Sequence, residues 1–298
     1  MKLGALYVIF LLALAVTACV TPPQASSGAS GQAPIVKKQI VVAILGDPAG
    51  LHQEMTATSG NGTVPGLQET YQILDGALTH LDADEVRQPE LAEAVPTVEN
   101  GLWKVLPDGR MELTWHLKPG VTWQDGTPLT ADDLRFTVDV YRDKEIGIGK
   151  PSNLAALDGI DVTDPQTAVM KWTKIYTDAD QVFSGSKTMW LLPKHILEGP
   201  LQDNKEGFLG LPYWREGFVG AGAFAMREFA SGSHMTLVAN DSFVLGRPRL
   251  DELEVRFFTD RRTLLASILS GAVQTFIGHG LYPEDILTIQ NSGQDVRV

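Results

Sequence analysis

Apolar residues recur along the chain in three patterns, and each pattern predicts an element. An unbroken apolar run at residues 40–45 (IVVAIL) ends at the breaker 46–48 and predicts a strand buried on both faces. Leucines and one tyrosine recur at helical spacing across residues 67–81, which predicts one amphipathic helix with its stripe on the core. Strict alternation over residues 111–117, after the turn 108–109, predicts a half-buried strand.

The later part of the chain predicts more strands than helices. Residues 159–162 and 168–172 predict a strand pair joined through Asp164-Pro165. The segments 235–239 and 253–257 alternate in the same way, and a short helix is predicted over 263–269. Strands and helices are mixed without a strict strand-helix-strand rhythm, so the predicted fold class is mixed α/β (α+β).

A capping motif stands at residues 130–133 (TADD), after the turn 125–126, and predicts the start of a helix. Asp132 and Asp133 could also be interpreted as a catalytic carboxylate pair. Capping is the simpler interpretation, because carboxylates suit the positive end of a helix.

The first 37 residues differ from the rest. Residues 3–16 are an apolar run too short to span a bilayer and typical of a signal peptide, and the only cysteine of the chain, Cys19, follows small residues. This resembles a bacterial lipobox, which implies a signal peptide at 1–18, cleavage before Cys19 and a lipid on Cys19. Residues 19–37 are predicted to be a flexible lipid-anchored linker, since their Pro, Ser, Gly and Ala cannot form a core. A signal-anchor helix, or a plain secretory signal with an incidental cysteine, is the alternative.

Charge and cysteine content exclude several functions. The chain of 298 residues carries 24 Lys+Arg against 36 Asp+Glu, a net charge of -12, with no dense basic run. Binding of nucleic acid is therefore not expected. A single cysteine excludes a disulfide framework and every multi-cysteine metal site. The six histidines never lie three to five positions apart, so no metal site is predicted, although one assembled from distant segments stays open.

Two enzyme-like motifs are weak. Ser184 and Lys187 fit the S-x-x-K pattern of penicillin-recognising serine enzymes, but the partner motifs S-D-N and K-T-G are absent. Residues 220–225 fit G-x-G-x-x-A, but the following residues predict a strand rather than a phosphate-binding helix. No cofactor is predicted, and the protein is not expected to be an enzyme.

The order of several longer motifs is more specific than any of these. The motifs are YQILDGALT at 71–79, PELAE at 89–93, LTWHLKPGV at 113–121, DGTPLTADD at 125–133, LPKHIL at 192–197, FVGAGAF at 218–224 and GRPRLDE at 246–252. In this order they resemble the first lobe of the extracellular solute-binding proteins of family 5, the dipeptide, oligopeptide and nickel type of receptors of ABC importers. The resemblance covers residues 40–280 in collinear order. It departs where Gln274 follows 271–273 and where Phe224 replaces the common tyrosine.

The resemblance implies a fold and a function. The fold is the first lobe of a type II periplasmic-binding-protein-like clamshell over residues 38–280, with the hinge or second lobe starting at 281–298. Because family members continue well past this length, the second lobe is expected to be missing after Val298. The function implied is a receptor, exported and lipid-anchored to the outer face of the cell membrane or periplasmic. It would deliver a peptide or similar small solute to the permease and ATPase subunits of an ABC importer. A lobe-one fragment without a transport role and a serine hydrolase using Ser184 and Lys187 are the alternatives.

The resemblance also implies where lobe one contacts a solute, namely at the loop after the first strand and at the stretch 214–224. For the aromatic residues, burial in the core is an equally good interpretation, and Asp47 could simply set a turn. The acidic residue that receives a peptide amino terminus in relatives lies in the second lobe, so the solute itself is not predicted beyond the family default of a peptide. The expected contact residues are Gly46, Asp47, Pro48, Trp214, Phe218, Gly220 and Phe224.

Overall fold

The computed structural model describes residues 37–53, 64–149, 151, 154–184 and 189–292. The predicted signal peptide, Cys19, nearly all of the linker and Lys187 lie outside these residues. The strands are β1 (Gln39–Leu45), β2 (Thr79–Leu81), β3 (Arg87–Pro89), β4 (Trp103–Val105), β5 (Met111–His116), β6 (Leu157–Asp164), β7 (Thr167–Trp172), β8 (Phe224–Ala230), β9 (His234–Ala239), β10 (Glu252–Phe258) and β11 (Thr275–Phe276). The α-helices are α1 (Leu67–Asp75), α2 (Ala131–Arg142), α3 (Lys194–Asp203), α4 (Arg261–Leu269) and α5 (Pro283–Asn291).

The first strand lies inside a five-stranded sheet of order β11-β1-β10-β9-β8. β1 is parallel to both of its neighbours, whereas β9 is antiparallel to both β8 and β10. Neighbouring residues of a strand point to opposite faces. Ile44 belongs to the main apolar cluster and Ala43 to a second cluster that also contains Leu264 and Ile268 of α4. The prediction of a strand buried on both faces is confirmed.

A second sheet has four antiparallel strands in the order β4-β5-β7-β6. In β5 the residues Met111, Leu113 and Trp115 are fully buried and alternate with half-buried polar ones. This confirms the predicted half-buried strand, and the hairpin β6–β7 confirms the predicted strand pair. The strands predicted at 235–239 and 253–257 are β9 and β10, and the short helix is α4.

The prediction of one helix over residues 67–81 is wrong beyond Asp75. Gly76 adopts a left-handed conformation (φ 75°), and a Cβ there would lie 3.0 Å from the backbone of Ala221. The chain leaves the helix at this contact, and the amide of Leu78 donates to Phe183 O (2.8 Å). Leu81 then lies in β2 with its side chain exposed. Tertiary contacts thus override the helical spacing of the leucines.

The capping interpretation of residues 130–133 is confirmed. Thr130 and Asp133 form a capping box at the start of α2. Asp133 is buried; its Oδ2 accepts from the amide of Thr130 (2.8 Å) and its Oδ1 from the amide of Lys194 (3.0 Å). The carboxylate therefore caps α2 and also ties it to the start of α3.

The residues from Lys37 onward form one compact unit. Within it, Ile289 of α5 is buried in the second apolar cluster beside Ala43. The assignment of residues 281–298 to a hinge or second lobe stays a prediction. Among the helices that the structure describes, none combines the length and the apolar character needed to cross a bilayer.

Candidate functional site

The loop after β1 is held at the end of the five-stranded sheet. The amide of Gly46 donates to Phe258 O (2.7 Å), which extends the pairing of β1 beyond its last residue. Asp47 is exposed, and its Oδ1 accepts from the amide of Gly232 (3.0 Å) in the turn between β8 and β9. Pro48 is buried. The loop thus presents one carboxylate to solvent and fixes it with a single hydrogen bond.

The aromatic residues expected at the site pack in the core. Trp214 is fully buried, donates its Nε1–H to Phe208 O (2.7 Å) and contacts the ring of Tyr213 at 4.8 Å between centroids. Phe218 lies between Tyr213 (5.1 Å) and Tyr71 of α1 (5.3 Å). These contacts favour the core interpretation that the sequence left open for both residues.

The loop after β1 and the aromatic residues meet through the backbone. The amide of Leu51 donates to Trp214 O (2.7 Å). The ring of His52 lies edge-on to Trp214 at 6.4 Å, and burial together with the charge of Arg215 lowers the pKa of His52. His52 is therefore neutral near pH 7 and packs as an aromatic ring.

Residues 220–224, which we call the crossing segment, pass in contact with the last turn of α1. The amides of Ala221 and Gly222 donate to Asp75 O (2.8 Å) and Leu74 O (2.9 Å). A Cβ on Gly220 would overlap Leu74 O, and a Cβ on Gly222 would lie 2.5 Å from Ile73 O. The glycines of the G-x-G-x-x-A motif therefore permit close approach of two backbones. The strand predicted to follow them is β8, which begins at Phe224.

Gln124, which the sequence analysis did not single out, joins three parts of this region. Its backbone amide donates to Gly220 O (2.9 Å), and its side-chain Oε1 accepts from the amide of Gly220 (3.0 Å). Its Nε2 donates to Leu74 O (2.9 Å) and Phe224 O (2.7 Å). One side chain thus connects the turn after β5, the end of α1 and the crossing segment.

Two buried carboxyl groups lie at the end of α1, Asp75 as its last residue and Glu90 close to Ala77. Asp75 Oδ2 accepts from the amide of Leu191 (2.9 Å), and burial raises the pKa of Asp75 well above its usual range. Glu90 Oε1 accepts from the amide of Ala77 (3.0 Å), and burial raises the pKa of Glu90 to about 7. The nearby charge of Glu90 raises the pKa of Asp75 further. Burial thus favours the protonated form of both carboxyl groups in the folded protein.

The seven expected contact residues therefore divide into two groups. Gly46 and Asp47 reach solvent in this structure, whereas Pro48, Trp214, Phe218, Gly220 and Phe224 are buried. Hydrogen bonds join the loop after β1 to Trp214 and the crossing segment to α1. Contact between any of the seven residues and a solute stays a prediction.

The structure offers little support for other chemistry. Ser184 Oγ donates to Gln181 O (2.7 Å), and its expected partner Lys187 lies outside the described residues. Within the part of the chain that the structure describes, no group of three or more His, Cys, Asp or Glu residues could hold a metal ion.

Comparison with known families and proteins gives a consistent result. Residues 88–297 match the model of the bacterial extracellular solute-binding proteins, family 5 (middle). The chain is 27% identical over 274 residues to the oligopeptide-binding protein AppA of Bacillus subtilis, covering 91% of this chain and 47% of that protein. It is also 27% identical over 175 residues to a putative ABC transporter peptide-binding protein of Brucella ovis, covering 58% of this chain and 31% of that protein. The chain thus spans about half the length of AppA and about a third of the length of the Brucella ovis protein.

Solved structures agree with the fold. The structure of AppA from Bacillus subtilis in complex with a nonapeptide matches with a TM-score of 0.69 at 24% identity, over 86% of this chain and 47% of that one. An oligopeptide-binding protein of Thermus thermophilus complexed with a pentapeptide matches with a TM-score of 0.66 at 20% identity, over 79% of this chain and 43% of that one. The mixed α/β fold of the described residues is therefore that of one part of a periplasmic-type binding protein.

Proposed function

The chain belongs to the family 5 bacterial extracellular solute-binding proteins, and from this premise we propose that it acts as the receptor of an ABC importer. In this role it captures a peptide or similar small solute outside the cytoplasmic membrane and delivers it to the permease and ATPase subunits. The observation that carries the proposal is the family match over residues 88–297. The homologous proteins are solute-binding proteins rather than enzymes.

Binding of this kind needs no covalent step. Two lobes close on the solute and exclude water, and affinity comes from backbone hydrogen bonds and roomy pockets on a preformed wall. In the proposal this chain supplies one such wall. Gly46 and the exposed Asp47 contribute directly, and Pro48, Trp214, Phe218, Gly220 and Phe224 shape the wall.

A peptide is the solute class with most support. AppA and the Thermus thermophilus protein were solved with a nonapeptide and a pentapeptide. An extended peptide presents regularly spaced N–H and C=O groups, which a wall built on strand ends and a tightly held backbone segment can pair with. The proposal therefore commits to peptides of several residues.

Ligand-dependent stabilisation tests the function. The full-length protein encoded by the gene is heated with pools of synthetic pentapeptides and nonapeptides, and unfolding is followed by tryptophan fluorescence. A ligand at a hundred times its Kd stabilises a protein by about 2.7 kcal/mol, so we expect a binding pool to raise Tm by about 5 °C. Free amino acids at the same total concentration are the control. Equal Tm values with every pool and with the control contradict the proposal.

We also propose that Cys19 carries a lipid that anchors the protein to the membrane. The support is the apolar run before Cys19 and the absence of any other cysteine in the sequence. In cells fed a clickable fatty acid, wild-type protein is expected to carry the label and to sediment with membranes. Cys19→Ala is expected to lose the label. An equally labelled variant contradicts the proposal, because the chain holds no second cysteine that could take the lipid.

A further inference from the structure

At its two glycines the crossing segment is held against α1 by backbone hydrogen bonds and close contact. Gly220 and Gly222 leave no room for side chains between the segment and α1, whereas Ala221 and Phe224 pack in the main apolar cluster. Asn240 assists at the far end, where its Nδ2 donates to Gly222 O (2.9 Å) and its backbone N–H donates to Ala223 O (2.9 Å). The stretch 220–222, where the glycines carry no side chain to interlock with α1, depends on such hydrogen bonds for a defined position.

Gln124 makes the bonds that span the segment from end to end. It exchanges two hydrogen bonds with Gly220 and donates to Phe224 O, four residues further on. The remaining Nε2 hydrogen is donated to Leu74 O at the end of α1. Both hydrogens of the amide group and its oxygen therefore serve the backbone of this region.

The turn that carries Gln124 is itself rigid. The amide of Trp123 donates to Thr127 O (2.8 Å), and the amide of Gly126 donates back to Trp123 O (2.9 Å). Trp123 is fully buried, and Asp125 Oδ2 lies 2.7 Å from His195 Nε2 of α3. Because its base is fixed, the side chain of Gln124 loses little freedom when it forms these bonds.

We propose that Gln124 is a positioning residue that holds the crossing segment in its binding conformation and thereby sets the affinity of this wall for a peptide. The inference rests on the proposed function, because it takes the segment to be part of the solute-binding wall. Gln124 acts through the segment and not by contact with the solute. Without these hydrogen bonds the segment would be mobile before binding. Binding would then have to order it, and this loss of conformational entropy would lower the affinity.

Hydrogen–deuterium exchange of the full-length protein without ligand tests the positioning. Gln124→Met keeps the length of the side chain and removes all of its hydrogen bonds. We expect exchange at the amides of residues 220–222 to accelerate about tenfold or more, the factor that corresponds to the loss of one or two hydrogen bonds. The control is Gln274→Met, since Gln274 also bridges two backbone groups, Val41 N (2.8 Å) and Gly271 O (2.9 Å), at the opposite edge of the sheet. Unchanged exchange at 220–222 in Gln124→Met overturns the proposal.

A second variant separates positioning from general destabilisation. In Gln124→Glu the ionised carboxylate faces Leu74 O and Phe224 O without a donor, whereas the protonated carboxyl regains one donor. After correction for intrinsic rates, protection at 220–222 is expected to recover as the pH falls through the titration of this carboxyl group. Glu90 and Asp75 also titrate with raised pKa values in wild type and in Gln124→Met. The recovery is therefore measured as the gain in protection of Gln124→Glu over Gln124→Met at the same pH. Absence of recovery in Gln124→Glu counts against a specific role of the Nε2 donor. If Gln124→Met does not fold, Gln124→Glu at high pH takes its place in the exchange experiment.

Affinity for the best-binding synthetic nonapeptide of the pool tests the link to the solute. Gln124→Met is expected to weaken binding about tenfold, whereas Gln274→Met leaves it unchanged. Accelerated exchange with unchanged affinity overturns the link to the solute. If the wild-type protein binds no peptide, the proposed function fails for peptides and this link fails with it, while the exchange data still decide the positioning role.

Discussion

At the scale of single residues, the protonation of Glu90 links the stability of the fold to pH. Its side chain is nearly buried, it accepts from the amide of Ala77, and burial raises its pKa from the usual 4.5 to about 7. Between these two values the folded protein binds more protons than the unfolded chain. The free energy of unfolding therefore falls as the pH rises through this window and levels off above it.

Glu90→Gln should remove this part of the pH dependence. The amide oxygen of glutamine can still accept from Ala77 N, but the side chain no longer titrates. We expect the free energy of unfolding of the variant to vary less than that of wild type between pH 4.5 and 7, and to exceed it at pH 8 by at most about 3 kcal/mol. Urea denaturation over this pH range measures both effects.

Glu93→Gln is the matched control, because Glu93 is exposed and close in sequence. It should follow the wild-type pH profile. Some pH dependence should persist in Glu90→Gln, since burial also raises the pKa of Asp75. A profile of Glu90→Gln identical to that of wild type would show that Glu90 does not titrate in the folded protein with a raised pKa.

At the scale of elements, the two adjacent aspartates at the start of α2 have different roles. Asp133 caps the helix and accepts from the amide of Lys194, whereas Asp132 is half exposed and pairs with Arg135 at the helix surface. Asp133→Ala should lower the free energy of unfolding by about 2–3 kcal/mol, because the cap is lost and the partly buried amide of Lys194 is left without its acceptor. Asp132→Ala should cost less than about 0.5 kcal/mol. Chemical denaturation compares the two, and equal costs would contradict the dual role of Asp133.

The elements that the sequence predicted correctly are those with local signals. The hairpin β6–β7 and the capping box of α2 depend on residues that are neighbours in sequence. The helix predicted through Leu81 failed because the contact of Gly76 with Ala221 ends α1, and these two residues are far apart in the chain. The resemblance to the family rested on the order of whole motifs, and it predicted the fold class correctly.

The geometry of the candidate site could not be predicted from the sequence, because it also depends on contacts between residues that are far apart in the chain. Gln124 and Gly220 are 96 positions apart, and Asp75 and Leu191 are 116 apart. A glutamine in a polar turn carries no local signal of a long-range role. The aromatic residues were ambiguous because large rings suit both a ligand wall and a core, and the structure buries them.

At the scale of the whole molecule, apolar clusters on both faces of the five-stranded sheet hold it in place. The smaller cluster joins β1, α4 and α5 through residues such as Ala43, Leu264 and Ile289. Helix α5, which sequence reasoning assigned to a hinge or second lobe, packs on α4 and shares this cluster with β1.

Two substitutions on α5 test whether it is part of the cooperative unit. Ile289 is 2% exposed, whereas Leu287, two positions earlier, is 58% exposed. Ile289→Ala should lower the free energy of unfolding by about 2–4 kcal/mol, because it leaves a cavity in the second apolar cluster. Leu287→Ala should change it by less than about 0.5 kcal/mol. Denaturation followed by circular dichroism measures both, and an equally small effect of Ile289→Ala would show that α5 unfolds separately.

The pairing of β1 also determines when the sheet can form during synthesis. Among the described strands, those that pair with β1 are β10 and β11, and Gln39 at its start lies opposite Glu252. The ribosome makes β1 first, yet its pairing partners emerge more than two hundred residues later, as the separation of 213 between Lys38 and Asp251 illustrates. Such distant pairing is slow, because the entropy of closing a long loop is lost before any stabilising contact forms. The growing chain therefore carries β1 unpaired until translation has passed β10, and until then its apolar residues need protection from aggregation.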